Sequence, residues 1–255
     1  MNTAHTHDNI IVANALTKRF HGFAAVSDVD LAVRRHSIHA LIGPNGAGKT
    51  TMFNLITKFL PPTEGTILFN GKDITADDPA RVARRGIVRS FQISAIYPRM
   101  SVADNVRMAL QRPVGSSFHF WKSVKSLNVL DDRIDELLDA VGLLASRDQA
   151  AAGLPYGRKR ALEFATTLAL EPELMLLDEP TSGLGHEDVD RIADLIKQVS
   201  AQRTILMVEH NLSVVAKLAD TITVLARGKV LAEGPYSEIS ENPEVVEAYI
   251  GGSDD

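Results

Sequence analysis

The spacing of apolar residues divides the chain into regions of different character. Residues 10–33 mix β-type and polar positions, the pattern of an antiparallel sheet with one solvated face. Residues 102–110 and 131–144 have apolar positions three and four apart, which predicts amphipathic helices. Residues 174–177 and 204–208 are continuous apolar runs, typical of parallel strands that are buried on both faces. Together these patterns predict an α/β fold.

The remaining predicted elements are short. Further strands are predicted at residues 37–42, 65–70, 86–91, 222–226 and 229–232. Further helices are predicted at residues 49–59, 157–170 and 187–200, from residue 211 onward, and around 245–250. Residues 111–130, which include Trp121, fit neither period and receive no assignment.

The composition excludes several classes of protein. With Lys+Arg 27 and Asp+Glu 32 the net charge is −5, so no global positive field attracts nucleic acid, and we expect no nucleic-acid partner. The chain has no cysteine, which excludes disulfide scaffolds, zinc ribbons and thiol catalysis. The first nine residues are polar and no run of 18 apolar residues occurs, so we expect a cytoplasmic protein that does not span a membrane by itself.

A glycine-rich loop between a predicted strand and a predicted helix carries the strongest chemical signal. Its sequence, from Gly43 to Thr50, satisfies G-x-x-x-x-G-K-[ST]. The glycines let backbone N–H groups turn toward a phosphate, Lys49 reaches the β- and γ-phosphates, and Thr50 offers a hydroxyl to Mg²⁺. The predicted nucleotide-binding residues of the loop are Gly43, Pro44, Asn45, Gly46, Ala47, Gly48, Lys49, Thr50 and Thr51.

Acidic residues follow one of the buried strands. Asp178 would hold Mg²⁺ and Glu179 would position or deprotonate the attacking water. The alternative is a solvated acidic turn ahead of Pro180.

His210 follows the next buried strand, so in a parallel sheet it would emerge at the same edge and reach a γ-phosphate. Its alternative is a surface or helix-capping residue.

In this order the motifs resemble those of the ATP-binding cassette ATPases of ABC transporters, over residues 10–251. The similar segments are residues 89–92 (Q-loop), 154–158 (signature), 174–179 (Walker B), 182–185 (D-loop) and His210 (switch histidine). The resemblance implies a P-loop NTPase cassette with a RecA-like core, an antiparallel β subdomain and a helical signature subdomain. It implies one domain over residues 8–251, with core and β subdomain in 8–92 and 171–251 and the helical subdomain in 93–170.

The resemblance also implies roles for individual residues. Glu179, His210 and Gln92 are implied as catalytic, and Thr50, Gln92 and Asp178 as metal ligands. Tyr156 and Gly157 are implied to face the nucleotide of a second subunit. Phe20 is implied to pack against adenine, and its alternative is a buried side chain at a strand end.

Within that superfamily, the phosphate loop, residues 88–92, the tyrosine-glycine signature and the ending 246–251 resemble ATPases of branched-chain amino acid importers. Urea and amide importers share these traits. The resemblance implies an ATPase that uses ATP and Mg²⁺ to energise uptake. The implied partners are integral membrane permease subunits, a second related ABC ATPase or a second copy of this chain, and indirectly a periplasmic solute-binding protein. The implied location is the inner face of the cell membrane.

The signature departs from the usual Leu-Ser-Gly-Gly-Gln. Pro155 has neither a hydroxyl nor an N–H group, so only Gly157, the helix N-terminus and Arg158 remain to meet a phosphate across a dimer. One interpretation is a tolerated variant. The other is a heterodimer with unequal sites, in which a partner supplies the full signature to this chain's Glu179.

Further alternatives stay open. The apolar residues 93–100 would either meet a short helix of the membrane subunit or form ordinary core. A soluble ABC-type ATPase acting on DNA or ribosomes is disfavoured because the chain has one cassette and no basic stretch. A binding module without turnover is disfavoured by the presence of Glu179 and His210.

Overall fold

A four-stranded antiparallel sheet forms the first layer of the structure. The computed structural model describes residues 8–90, 96–111 and 130–250. The strands of this sheet are β1 (Asn9–Phe20), β2 (Phe23–Arg34), β4 (Glu64–Phe69) and β5 (Lys72–Asp73). Their order is β2-β1-β4-β5, and every pair is antiparallel. The predicted antiparallel arrangement of residues 10–33 is confirmed.

A six-stranded sheet forms the centre. Its strands are β3 (Ile38–Ile42), β6 (Ile87–Arg89), β7 (Leu174–Asp178), β8 (Thr204–Val208), β9 (Thr221–Ala226) and β10 (Lys229–Gly234). The order is β10-β9-β3-β8-β7-β6, and only the β9–β10 pair is antiparallel. The carboxyl ends of β3, β7 and β8 therefore lie side by side at one edge, where a parallel sheet places its ligand site.

Helices cover the central sheet. In chain order they are α1 (Lys49–Ile56), α2 (Pro79–Arg84), α3 (Val102–Leu110), α4 (Asp131–Ala140), α5 (Tyr156–Leu168), α6 (His186–Ser200), α7 (Leu212–Leu218), α8 (Tyr236–Glu241) and α9 (Pro243–Ile250). Alternate residues of β3, β7 and β8 enter two apolar clusters on opposite faces of the sheet. One cluster includes α3 to α6, and the other includes α1 and the four-stranded sheet. Burial on both faces explains the continuous apolar runs of these strands.

Several predicted boundaries differ from the structure. Helix α1 ends at Ile56 and not at residue 59, because Lys58 adopts the left-handed conformation (φ 62°). Helix α4 ends at Ala140 and not at residue 144, since Gly142 turns the chain with φ 69°. Helix α2 was not predicted, although its capping Asp78 is a recognisable start signal. Helix α8 and the short β5 were also not predicted.

Some predictions fall partly or wholly on residues that the structure does not describe. The strand predicted at residues 86–91 appears as the shorter β6, and residue 91 lies outside the described residues. Most of the unassigned segment 111–130 also lies outside them.

Candidate active site

The glycine-rich loop joins β3 to α1, as predicted. Gly43 has φ 146°, and a Cβ there would lie 2.1 Å from the carbonyl oxygen of Leu225. Gly48, at the N-cap of α1, has φ 106°, and its Cβ would lie 2.6 Å from the carbonyl oxygen of Ala25. Both positions therefore require glycine. No side chain caps α1, which leaves its first N–H groups to bind an anion.

The ammonium group of Lys49 lies within this loop. Its Nζ donates to the carbonyl oxygens of Gly43 (2.6 Å) and Pro44 (3.0 Å). Burial lowers the pKa of Lys49, while the charges of Glu179 and Asp178 act in the opposite direction. The loop thus holds a cation beside the acidic edge of the sheet, which is the arrangement that a phosphate-binding lysine needs.

The structure brings Glu179 and His210 together. Glu179 directly follows β7, and its N–H donates to the carbonyl oxygen of Val208 in the adjacent strand (2.8 Å). His210 Nδ1 lies 3.7 Å from Glu179 Oε1. The capping alternative for His210 is wrong, because Asn211 caps α7 by accepting from two backbone N–H groups, whereas the surface alternative agrees with the 61% exposure of the His210 side chain. The solvated-turn alternative does not describe Glu179 either, since its side chain is only 32% exposed.

Asp178, the last residue of β7, is buried beside an arginine. Its Oδ2 accepts a hydrogen bond from Arg89 Nη2, and Arg89 Nη1 donates to Asn54 Oδ1 (2.7 Å). In the described part of the chain no group of three or more His, Cys, Asp or Glu side chains forms a metal site. Mg²⁺ bound to a nucleotide needs only one or two carboxylates besides phosphates and water. The oxygen donors of Asp178 and Thr50 fit that requirement.

Glu209 was missed as a functional candidate. It is 1% exposed, and Oε2 accepts from Thr181 Oγ1 (2.7 Å) and the Thr181 N–H (3.3 Å). Its Oε1 accepts from the backbone N–H groups of His210 (2.9 Å) and Asn211 (3.1 Å). Glu209 therefore ties the loop after β7 to the loop after β8. The available signal was an acid at the end of an apolar run, the same pattern that singled out Asp178.

The predicted signature residues lie at the start of α5. Tyr156 is 49% exposed, and the guanidinium of Arg160 lies 5.5 Å from its ring centroid. Gly157 is buried, and a Cβ there would lie 2.2 Å from Asp188 Oδ2, so glycine permits α6 to approach. Arg158 Nη1 donates to Ser146 Oγ (3.1 Å), which directs it into the helical region.

The structure describes one of the two remaining predicted site residues, Phe20, and does not describe the other, Gln92. Phe20 ends β1 and is 40% exposed, so the buried strand-end alternative is wrong. Lys18 Nζ lies 5.3 Å from its ring centroid. Gln92 lies outside the described residues.

A cavity of about 360 Å³ opens beside β6, and residues of α2, α3 and α5 line it. Tyr97 lines the cavity and is 53% exposed, whereas Ile96 packs against the core. In its described part the segment 93–100 therefore has one side chain against the core and one exposed at the cavity, and contact with a membrane subunit stays a prediction. Residues 93–95 lie outside the described residues.

Comparison with known families settles the identity of this arrangement. The model of the family described as ABC transporter matches residues 26–182. The chain belongs to the ATP-binding cassette family of ABC transporters. A second model, described as branched-chain amino acid ATP-binding cassette transporter, matches residues 229–255 of the cassette. Members of this family are ATPases that bind nucleotide, form dimers and work with membrane permeases. They share the RecA-like α/β fold described above.

Relatives and solved structures agree with this assignment. The cassette is 36% identical to the high-affinity branched-chain amino acid transport ATP-binding protein LivG of Salmonella typhimurium, over 95% of this chain and 98% of the relative. It is 34% identical to BraF of Pseudomonas aeruginosa, with the same coverage. A crystal structure of an ATP-binding cassette in its ADP conformation is 30% identical, with a TM-score of 0.83, over 95% of this chain and 99% of that one. Among the described residues no helix is long and apolar enough to cross a membrane.

Proposed function

We propose that this cassette binds and hydrolyses ATP to energise uptake of branched-chain amino acids or a related small solute. The observation that carries the proposal is the convergence of Lys49, Glu179 and His210 at one edge of the parallel sheet. The solute class is supported by the family match at residues 229–255 and by the names of the relatives.

The geometry supports specific roles at this edge. The loop N–H groups and Lys49 bind the phosphates, and Phe20 packs against adenine. Glu179 accepts a hydrogen bond from the attacking water and takes its proton as the oxygen bonds to the γ-phosphorus. The bond to the bridging oxygen breaks, and ADP keeps the electron pair. His210, which follows the adjacent strand β8, donates a hydrogen bond to the γ-phosphate.

Asp178, Thr50 and Gln92 are the residues that would hold Mg²⁺. When bound, the ion would neutralise charge on the phosphate oxygens.

The boundaries of the single domain (residues 8–251) and of its helical part (residues 93–170) belong to the same proposal.

The partner in the dimer is, in this proposal, a second and related ATPase. This chain's signature offers few donors to a facing phosphate, because Pro155 has neither an N–H nor a hydroxyl group and Arg158 already donates one of its five N–H groups to Ser146. A related partner with a full signature completes the site that contains Glu179. A homodimer is the competing arrangement.

The membrane partner would use the cavity beside β6. An integral permease subunit inserts a short helix there, where exposed Tyr97 and Phe59 offer apolar surface. In this proposal the cassette lies on the inner face of the cell membrane, and a periplasmic solute-binding protein acts on the complex from the opposite side.

Trapping the complex tests the assignment. Glu179→Gln removes the proton acceptor but keeps the shape of the site, so this variant should retain Mg·ATP and stay assembled in native membranes. In Mg·ATP we expect the variant to co-purify with two hydrophobic permeases and a second ABC ATPase. When the same variant is purified in ADP instead, smaller amounts of these partners should be recovered. Recovery alone or with nucleic-acid proteins would contradict the transport assignment.

A further inference from the structure

One arginine connects the cavity beside β6 with the edge of the sheet that carries Asp178. Arg89 is the last residue of β6, and its side chain is only 14% exposed. It lines the cavity. At the other end its guanidinium donates through Nη2 to Asp178 Oδ2 and through Nη1 to Asn54 Oδ1 (2.7 Å).

The two acceptors belong to the two elements that carry Thr50 and Asp178, two of the three proposed metal ligands. Asp178 ends β7, and Asn54 stands one helical turn after Thr50 in α1. The ring of Phe53, also in α1, lies 5.6 Å from the guanidinium carbon of Arg89. Arg89 is therefore fixed between α1 and β7 by an ion pair, a hydrogen bond and an aromatic contact.

The ion pair affects the charge that Asp178 presents to a cation. Asp178 is 5% exposed, so water screens the pair weakly. A guanidinium in contact with a buried carboxylate cancels much of its negative potential, and any second cation must share that carboxylate.

We propose that Arg89 is a positioning residue that competes with Mg²⁺ for Asp178. This inference rests on the proposed function. The Arg89–Asp178 pair weakens Mg²⁺ binding, and Mg²⁺ binding in turn disfavours the pair by the same free energy.

The test measures ADP affinity of the purified chain at a series of Mg²⁺ concentrations and in EDTA. Arg89→Gln removes the competing charge and keeps a polar side chain. We expect the half-saturating Mg²⁺ concentration to fall about threefold to tenfold, with ADP affinity in EDTA no higher than that of the wild type, because Asp178 then keeps its full negative potential. Arg89→Lys keeps the charge, and we expect its half-saturating Mg²⁺ concentration to stay within about twofold of the wild-type value.

Arg85→Gln is the matched control, because Arg85 forms a comparable ion pair with Asp77 (2.7 Å) and does not line the cavity. It should leave the Mg²⁺ dependence unchanged. An unchanged or raised half-saturating concentration in Arg89→Gln, or equal shifts in the Gln and Lys variants, would overturn the proposal. Should Arg89→Gln fail to fold, Arg89→Met takes its place, because it also removes the charge; the same fall would support the proposal, and an unchanged half-saturating concentration would overturn it. Absence of ADP binding in the wild type would instead contradict the proposed function itself.

Discussion

At the scale of single residues, Glu209 is the carboxylate that joins the loop after β7 to the loop after β8. Its oxygens accept hydrogen bonds from Thr181, His210 and Asn211. Replacement by alanine would leave these donors without their acceptor, and those of Thr181 are buried. We expect Glu209→Ala to lower the free energy of unfolding by about 2–4 kcal/mol and to lower kcat for ATP hydrolysis more than it raises KM.

Urea denaturation and steady-state phosphate release measure the two effects. Glu209→Gln is the conservative comparison, because its amide oxygen still accepts hydrogen bonds, and it should lose less stability than the alanine variant. A Glu209→Ala protein as stable and as active as wild type would contradict this role.

Lys58 has a backbone conformation that lowers the free energy of unfolding. It follows the C-cap of α1 with φ 62°, and its buried Nζ has no hydrogen-bond partner among the described residues. Burial lowers the pKa of Lys58, which shows that its charged form is disfavoured there. We expect Lys58→Gly to raise the free energy of unfolding by about 1 kcal/mol, since glycine adopts positive φ without strain.

The control for Lys58 is Asn70→Gly. Asn70 also has positive φ (52°), but its side chain accepts from Arg35 and donates to Glu173. Removing it costs both bonds, so this variant should gain less stability than Lys58→Gly. Urea denaturation compares the two, and a destabilised Lys58→Gly would show that packing of the lysine stem outweighs backbone strain.

At the scale of elements, a chain of hydrogen bonds crosses β3, β9 and β10. Thr223 Oγ1 donates to Glu233 Oε2 (2.5 Å), so its single proton is used there. The 2.7 Å contact between Thr223 Oγ1 and His39 Nε2 must then be donated by the imidazole. Burial, with a smaller effect from Arg34, lowers the pKa of His39 from 6.5 to about 4. The strand that leads into the phosphate loop is therefore anchored by a neutral histidine.

This histidine makes stability depend on pH. Between pH 6.5 and about 4 the unfolded chain binds a proton that the folded chain does not, so stability is present above pH 6.5 and lost as the pH falls. The loss amounts to at most about 3 kcal/mol. His39→Gln keeps an N–H donor that does not titrate. Urea denaturation at pH 7 and pH 4.5 should therefore show a smaller loss in the variant, and equal losses would contradict the assignment.

The elements themselves were largely predictable, whereas the contacts between them were not. The phosphate loop, β7 and β8 have local signals in glycine spacing and apolar runs, and the structure has all three. The Arg89–Asp178 pair and the Glu209–Thr181 hydrogen bonds join residues far apart in sequence, so they depend on strand order. The end of α1 was misplaced because Lys58 stands where a left-handed residue, usually glycine, ends a helix.

At the scale of the whole molecule, the variant signature predicts unequal sites in the transporter. In a complex with a related ATPase, Glu179 faces the partner's full signature, and the segment 154–158 of this chain faces the weaker site. We expect Glu179→Gln to remove most ATPase activity of the purified complex, whereas Tyr156→Gly should change it several-fold at most. Equal losses from the two substitutions, measured as phosphate release, would contradict unequal sites and favour a homodimer or two equivalent sites.

The proposed role of this edge of the sheet is tested by ATP-driven accumulation of leucine, isoleucine and valine in vesicles that contain the purified complex and its solute-binding protein. ATP binding by the cassette is measured in parallel. Wild-type complexes should accumulate at least one of these amino acids, and Glu179→Gln should abolish accumulation while ATP still binds. Undiminished accumulation in the Glu179→Gln complex would contradict the claim that this edge of the sheet hydrolyses the ATP that drives uptake.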